Sequence, residues 1–321
     1  MKAIINEKFG PAGRLELKEI KKPEPQANEV LIKVFATSVN KIDVVYRAGT
    51  KAIFGLARLT TGIIKPRKKV LGFDVSGEII ELDENVTEFN IGDLVYGGAK
   101  SGANAEYTTA ISSEIAKKPV NISHLEASAI PMAGLSALQG LRAGNIREGQ
   151  KVLIYGASGG IGTYAIQLAN IFGTTVTGVA SGKNEQLVRN LGADDYINYL
   201  EEDFTTKDDK YDLILDTQAK SPLSRWKNAL KDDGIFINAG SPSMSMVQFI
   251  SAQMGNRFRK KKYLSFSTVY LKEDLEYLAQ LVEKGKLKSV IDKTYSFEEI
   301  ALAHEYYEQG HTAGKAVVKV I

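Results

Sequence analysis

Residues 151–169, KVLIYGASGGIGTYAIQLA, constrain what this chain can fold into more than any other stretch. The apolar run Val152, Leu153 and Ile154 reads as a buried strand, and it enters a glycine-rich turn that opens a helix. That order meets the mechanical need of a dinucleotide pyrophosphate. Glycines let the backbone approach the phosphates, and unpaired amides at the helix start attract the anion. The spacing is a variant of G-x-G-x-x-G with Ala157 at the first position, followed by Ser158, Gly159, Gly160, Ile161 and Gly162. Alanine suits that first position only with a negative φ. Ile161, Ala165, Leu168 and Phe172 recur at helical spacing, which sets an apolar stripe against a sheet, and Gly173 supplies a helix end. Ser158, Gly159, Gly160, Ile161 and Gly162 are therefore the predicted pyrophosphate-binding residues.

The 321 residues suffice for two domains of ordinary size. Residues up to ~120 read as mostly β, with short strands at 30–35, 77–82, 93–96 and 105–109 between Gly, Asn and Asp turns. From residue 125 onward, strands and helices alternate. Strands are expected at 151–155, 174–179, 195–198, 211–216, 234–238 and 262–267. Six strands with helical crossovers predict a doubly wound parallel sheet. A helix over 272–283, an extended piece over 289–295, a helix over 298–308 and a strand over 316–321 complete the chain. The last strand suits the β-rich part. The expected organisation is α/β: a β-rich domain of residues 1–122 and 267–321 around a dinucleotide-binding Rossmann domain of residues 123–266.

Composition excludes several classes. A formal net charge of +3 is too small for a nucleic-acid footprint, and the run RFRKKK at 257–262 reads as a solvated face. No apolar run approaches the ~20 residues that span a bilayer, so no stable membrane insertion is expected. The N-terminus lacks a signal-peptide core, which makes cytoplasm the expected location. Cysteine is absent and only His124, His304 and His311 supply imidazoles. A zinc site draws three or four clustered Cys, His or carboxylate ligands, so no metal is expected.

The residue that ends the second strand of a dinucleotide fold reads the adenosine ribose, and a carboxylate there selects NAD. Here the strand runs out in Ala180, Ser181, Gly182, Lys183 and Asn184, without a carboxylate. The Ser181 hydroxyl and the Lys183 ammonium suit a 2′-phosphate, which favours NADP(H).

Further motifs extend along nearly the whole chain: VNKID at 39–43 with Arg47 and Gly49, LGFDVSG at 71–77, GDLVYG at 92–97, residues 103–107, IPMAGLSA at 130–137, LGAD at 191–194 and residues 310–315. With the glycine turn among them, their order and spacing resembles the medium-chain dehydrogenase/reductase superfamily, in particular its zinc-free quinone oxidoreductase-like branch. The resemblance implies a GroES-like fold for the β-rich domain and a homodimer. It implies that Asn40 lies near the nicotinamide and polarises a substrate oxygen. Ser136 is implied at the cofactor cleft, Tyr199 at the adenosine end, and Thr217, Ala239 and Gly240 at strand ends flanking the cofactor. Lys315 joins the same cofactor-binding set. Two positions depart from the family pattern: Ala219 stands where a glycine is frequent, and Val45, beside Tyr46, stands where some relatives carry tyrosine. Asp43 is expected to fix the loop after Asn40, and Asp74 to support a turn or to contact Arg47. The apolar segment 52–64 reads as a lid over the substrate or as local packing. The implied activity is zinc-independent, NADPH-dependent hydride transfer to a small lipophilic quinone or α,β-unsaturated carbonyl. A double-bond reductase without quinone activity and a non-catalytic NADP(H)-binding sensor are the alternatives.

Overall fold

The computed structural model describes residues 1–49, 61–62, 64–206, 210–218, 226–239, 260–310 and 312–321. Gly240, Ala219 and His311 lie outside the described residues, as do 52–60 and 63 of the apolar segment and 257–259 of the basic run. The chain divides into two units: Met1–Met132 with Val269–Gly285 and Ser289–Ile321, and Ala133–Thr268 with Lys286–Lys288.

The second unit carries a parallel sheet of β8 (Lys151–Tyr155), β9 (Thr175–Ala180), β10 (Asp195–Asn198), β11 (Tyr211–Asp216), β12 (Leu230–Asn238) and β13 (Lys262–Ser265). Their spatial order is β10-β9-β8-β11-β12-β13, all parallel. This is the doubly wound arrangement, whose order reverses between β8 and β11. The Lys151–Tyr155 strand forms because its apolar residues are buried at the centre of the sheet, where Val152, Leu153 and Ile154 are fully covered. Helix α4 (Gly160–Ile171) follows it and buries residues 162 to 169. The helix stops at Gly173, whose φ of 75° favours a residue without a Cβ. Trp226 is wholly buried with Phe204, Phe236 and Tyr155 in the core under the sheet.

The first unit is β-rich. A two-stranded ribbon, β1 (Lys2–Ile5) and β2 (Glu16–Glu19), accompanies a seven-stranded sheet. That sheet contains β3 (Glu29–Ser38), β4 (Asp74–Leu82), β5 (Leu94–Gly98), β6 (Tyr107–Ile111), β7 (Ile115–Lys117), β14 (Ile291–Ser296) and β15 (Lys315–Lys319). The order is β14-β15-β3-β4-β5-β7, with β6 also on β3. Strand β15 from the chain end thus pairs antiparallel with β3 near the start. Its core gathers Val30, Ile32, Val34, Val75, Ile79 and Val95.

Helices α1 (Lys41–Ala48), α2 (His124–Ser128), α6 (Lys272–Glu283) and α7 (Ile300–Glu308) belong to this unit. Helix α2 is capped by Ser123 and Glu126, and its Ser128 Oγ donates to Thr37 O at 3.3 Å. The division therefore falls after Met132, ten residues beyond the position 122 read from sequence. Helices α3 (Pro131–Ala143) and α5 (Glu185–Asn190) complete the set used below. Among the described residues no helix is long and apolar enough to cross a membrane.

Candidate active site

In the second unit the turn after β8 is shaped by three glycines with different duties. Gly156 takes φ 79°, and a Cβ there would overlap the Thr217 hydroxyl. Ala157, next in line, is buried and is not among the residues with positive φ, so the left-handed step falls on Gly156 and alanine is tolerated. A Cβ on Gly162 would overlap the Gly156 carbonyl oxygen, which fixes how closely α4 approaches the strand end. Gly159 caps the helix under a looser constraint: a Cβ there would make only ordinary contacts, with Gly156 O at 3.4 Å and Gln218 Nε2 at 3.7 Å. The first helical backbone bond runs from Thr163 N to Gly159 O at 2.9 Å, so the amides of Gly160, Ile161 and Gly162 precede the helical ladder. Thr217 Oγ1 donates to Tyr155 O at 2.9 Å and braces the turn from the end of β11.

The end of β9 meets this turn through Asn184. Its Nδ2 donates to Ser158 Oγ at 3.0 Å and to Ser181 Oγ at 3.1 Å. Lys183 is exposed, and no carboxylate among the described residues pairs with it. Tyr199 donates its amide to Ala180 O at 3.2 Å, which brings this half-exposed ring to the same strand end. Ala239 donates its amide to Asp216 O at 2.9 Å beside Thr217. Ser136, buried on α3, shares a 2.6 Å hydrogen bond with Thr268 Oγ1. Asn184 had one sequence signal: it directly follows the Ser181–Lys183 stretch.

In the first unit Asn40 stands at the start of α1, and Asp43 reaches back to its amide at 2.9 Å. The Asn40 side chain is held at both ends. Its Nδ2 donates to Asp74 Oδ2 at 2.8 Å, and its Oδ1 accepts from Lys315 Nζ. The Lys315 ammonium also lies 3.7 Å from Asp74, and both residues are buried. Lys315 thus holds Asn40 and Asp74, where sequence reading had grouped it with the cofactor-binding residues. Burial pulls its ammonium below the usual lysine range, while Asp74 and Asp43 oppose that shift.

Asp74 is the hub of this cluster. It accepts from Ser38 Oγ at 2.7 Å, Met132 N at 2.9 Å and Tyr270 OH at 2.8 Å, as well as from Asn40. Arg47 is not its partner. The guanidinium pairs with Glu308 at 2.6 Å and donates to Gly10 O at 2.6 Å. Asp43 plays the structural part expected of it, accepting from Gly72 N at 2.9 Å. Burial raises its carboxyl to about 6 against those two backbone donors. Tyr270 carried no sequence signal, since its partner Asp74 is 196 residues away. Among the described residues no group of three or more His, Cys, Asp or Glu is placed to hold a metal ion.

Comparison with known proteins fits this architecture. A family model described as an alcohol dehydrogenase GroES-like domain matches residues 26–120, and one described as a zinc-binding dehydrogenase matches residues 191–318. A chloroplastic quinone-oxidoreductase of Triphysaria versicolor is 32% identical, covering 99% of this chain and 98% of its own. A 2-methylene-furan-3-one reductase of Solanum lycopersicum is 30% identical over 100% of this chain and 79% of its own. The solved quinone oxidoreductase from Coxiella burnetii superposes with a TM-score of 0.88 at 36% identity, covering 100% of this chain and 99% of its own. Likeness over the full length, on the same two-sheet architecture, makes this chain an oxidoreductase of the medium-chain dehydrogenase/reductase superfamily, in its zinc-free quinone oxidoreductase-like branch, a family that uses nicotinamide cofactors.

Proposed function

We propose that the protein is a zinc-independent, NADPH-dependent reductase of small lipophilic quinones or α,β-unsaturated carbonyls. The observation that carries the cofactor choice is the end of β9, where the Lys183 ammonium and the Ser181 hydroxyl pair with no carboxylate among the described residues. A carboxylate there would repel a 2′-phosphate, and this pair attracts one. The residues present fit a dinucleotide: the close approach of α4 to the strand end at Gly162 sets the first amides of α4 at the turn, where they face no helical partner. Ser158, Gly159, Gly160, Ile161 and Gly162 would hold the pyrophosphate. Ser181, Lys183 and Tyr199 would hold the adenosine end, and Ser136, Thr217, Ala239 and Gly240 would flank the rest.

When bound, reduced nicotinamide supplies a hydride. The chain's own contribution is positioning and hydrogen bonding. Lysine only donates and carboxylate only accepts, so Lys315 and Asp74 fix which way the Asn40 amide points. One Nδ2 hydrogen goes to Asp74, and the other is directed to Ser38 O with Nδ2 at 3.5 Å from it, at the limit of a hydrogen bond. That weakly held hydrogen is the donor for a substrate oxygen as charge develops on it. Quinones and enones suit such a site because the developing charge is delocalised and no Lewis acid is needed. The names of the Triphysaria and Solanum relatives support these two substrate classes.

Stopped-flow oxidation of NADPH and NADH against a panel of quinones and enones tests the proposal. Turnover of both acceptor classes with a strong NADPH preference is expected. Turnover of enones alone moves the assignment to a double-bond reductase. Tight NADPH binding without turnover on any acceptor refutes catalysis and favours a sensor. Homodimer formation and a cytoplasmic location are part of the same proposal. Light scattering on purified protein and cell fractionation check them.

A further inference from the structure

Two hydroxyls destined for phosphates are joined by one amide. Ser158 lies in the glycine turn, Ser181 follows β9, and both Nδ2 hydrogens of Asn184 are used on their oxygens, at 3.0 and 3.1 Å. A hydroxyl that accepts through a lone pair keeps its own hydrogen to give. Among the described residues neither hydroxyl has a protein acceptor for that hydrogen. The nearest acid along the chain, Glu185, is occupied by Arg189 at 2.9 Å.

We infer that Asn184 is a positioning residue for cofactor choice. By donating to both serines it leaves their O–H groups to donate outward, Ser158 to the pyrophosphate and Ser181 to the 2′-phosphate. The inference rests on the NADP(H) reading above and adds the device that orients its donors. A carboxylate at position 184 would do the reverse, accepting both hydrogens and turning the hydroxyls away from an anion.

The test is calorimetric binding of NADP⁺ and NAD⁺, with no turnover involved. Wild type is expected to prefer NADP⁺, and Asn184→Leu to lower the NADP⁺/NAD⁺ affinity ratio about tenfold, the scale of one lost hydrogen bond to a charged group. Asn184→Asp should lower it further. In a Ser181→Ala background the Asn184→Leu change should move the ratio by less than about twofold, because the hydroxyl it orients is gone. An equal drop in both backgrounds, or none in wild type, overturns the inference. A ratio kept by Asn184→Asp also overturns it, since the amide would then be accepting from the serines. If Asn184→Leu does not fold, Asn184→Ala in the two backgrounds carries the same cycle. A wild type that does not prefer NADP⁺ is a different result: it overturns the cofactor reading itself, and this inference with it.

Discussion

Replacing His304 by phenylalanine should make the protein more acid-resistant by a calculable amount. His304 sits on α7 with 1% of its surface exposed, and among the described residues neither ring nitrogen has a hydrogen-bond partner. Burial first, and the Arg47 guanidinium second, push its imidazolium down from 6.5 to about 3. The unfolded chain therefore takes up a proton below pH 6.5 that the native state refuses until about pH 3, so stability falls as pH falls through that window. At about 1.4 kcal/mol per pH unit, the loss between pH 7 and pH 5 is about 2 kcal/mol.

Asp43 acts in the opposite sense. Its carboxyl is raised from 3.8 to about 6, so its cost is relieved as pH falls through that range. The relief is about 1.4 kcal/mol over the same two pH units, and it partly masks the histidine in wild type. Subtracting wild type from His304→Phe at each pH removes Asp43 and every other shared group. Urea unfolding at pH 7 and pH 5 should show the variant gaining about 2 kcal/mol on wild type. A difference that does not change with pH refutes the reasoning, because it means that His304 protonates in the native state at its ordinary value. With only three histidines in the chain, proton NMR can follow the His304 ring directly.

Other substitutions probe the two clusters. Gly162→Ala should destabilise by about 1–3 kcal/mol, because its Cβ overlaps the Gly156 carbonyl; thermal unfolding reads this, and an unchanged midpoint would mean the turn is looser than it stands. Lys315→Met should cost about 3–5 kcal/mol in urea unfolding, since it strands the buried Asp74 carboxylate, and a loss below about 1 kcal/mol would show that water reaches the pair. Asn40→Ala should lower kcat/KM by about 10²–10³ while leaving NADPH affinity nearly unchanged, as removal of one donor to a developing charge does. Steady-state kinetics beside calorimetry separates those two effects.

The parallel sheet was legible because its central strands β8 and β11 are apolar on both faces and the turn after β8 is marked by glycine. The expected strands 151–155, 195–198 and 211–216 coincide with β8, β10 and β11. The duty of Gly156 was less visible, because the fingerprint draws attention to position 157, whose alanine is harmless at negative φ. Side-chain partnerships were the hardest to read. Asp43 bonds to the Asn40 amide three residues away, and such a pair can be expected from helix capping alone. Lys315 bonds to Asn40 across 275 positions, and only the pairing of β15 with β3 brings them together. Two motifs read separately, one for catalysis and one for the cofactor, become one device when the last strand joins the sheet. The ammonium, the amide and the carboxylate then have a single consistent arrangement, because each can play only one hydrogen-bonding role toward its neighbour. In the proposed mechanism, the orientation of the Asn40 donor thus depends on the closure of the β-rich sheet by the end of the chain.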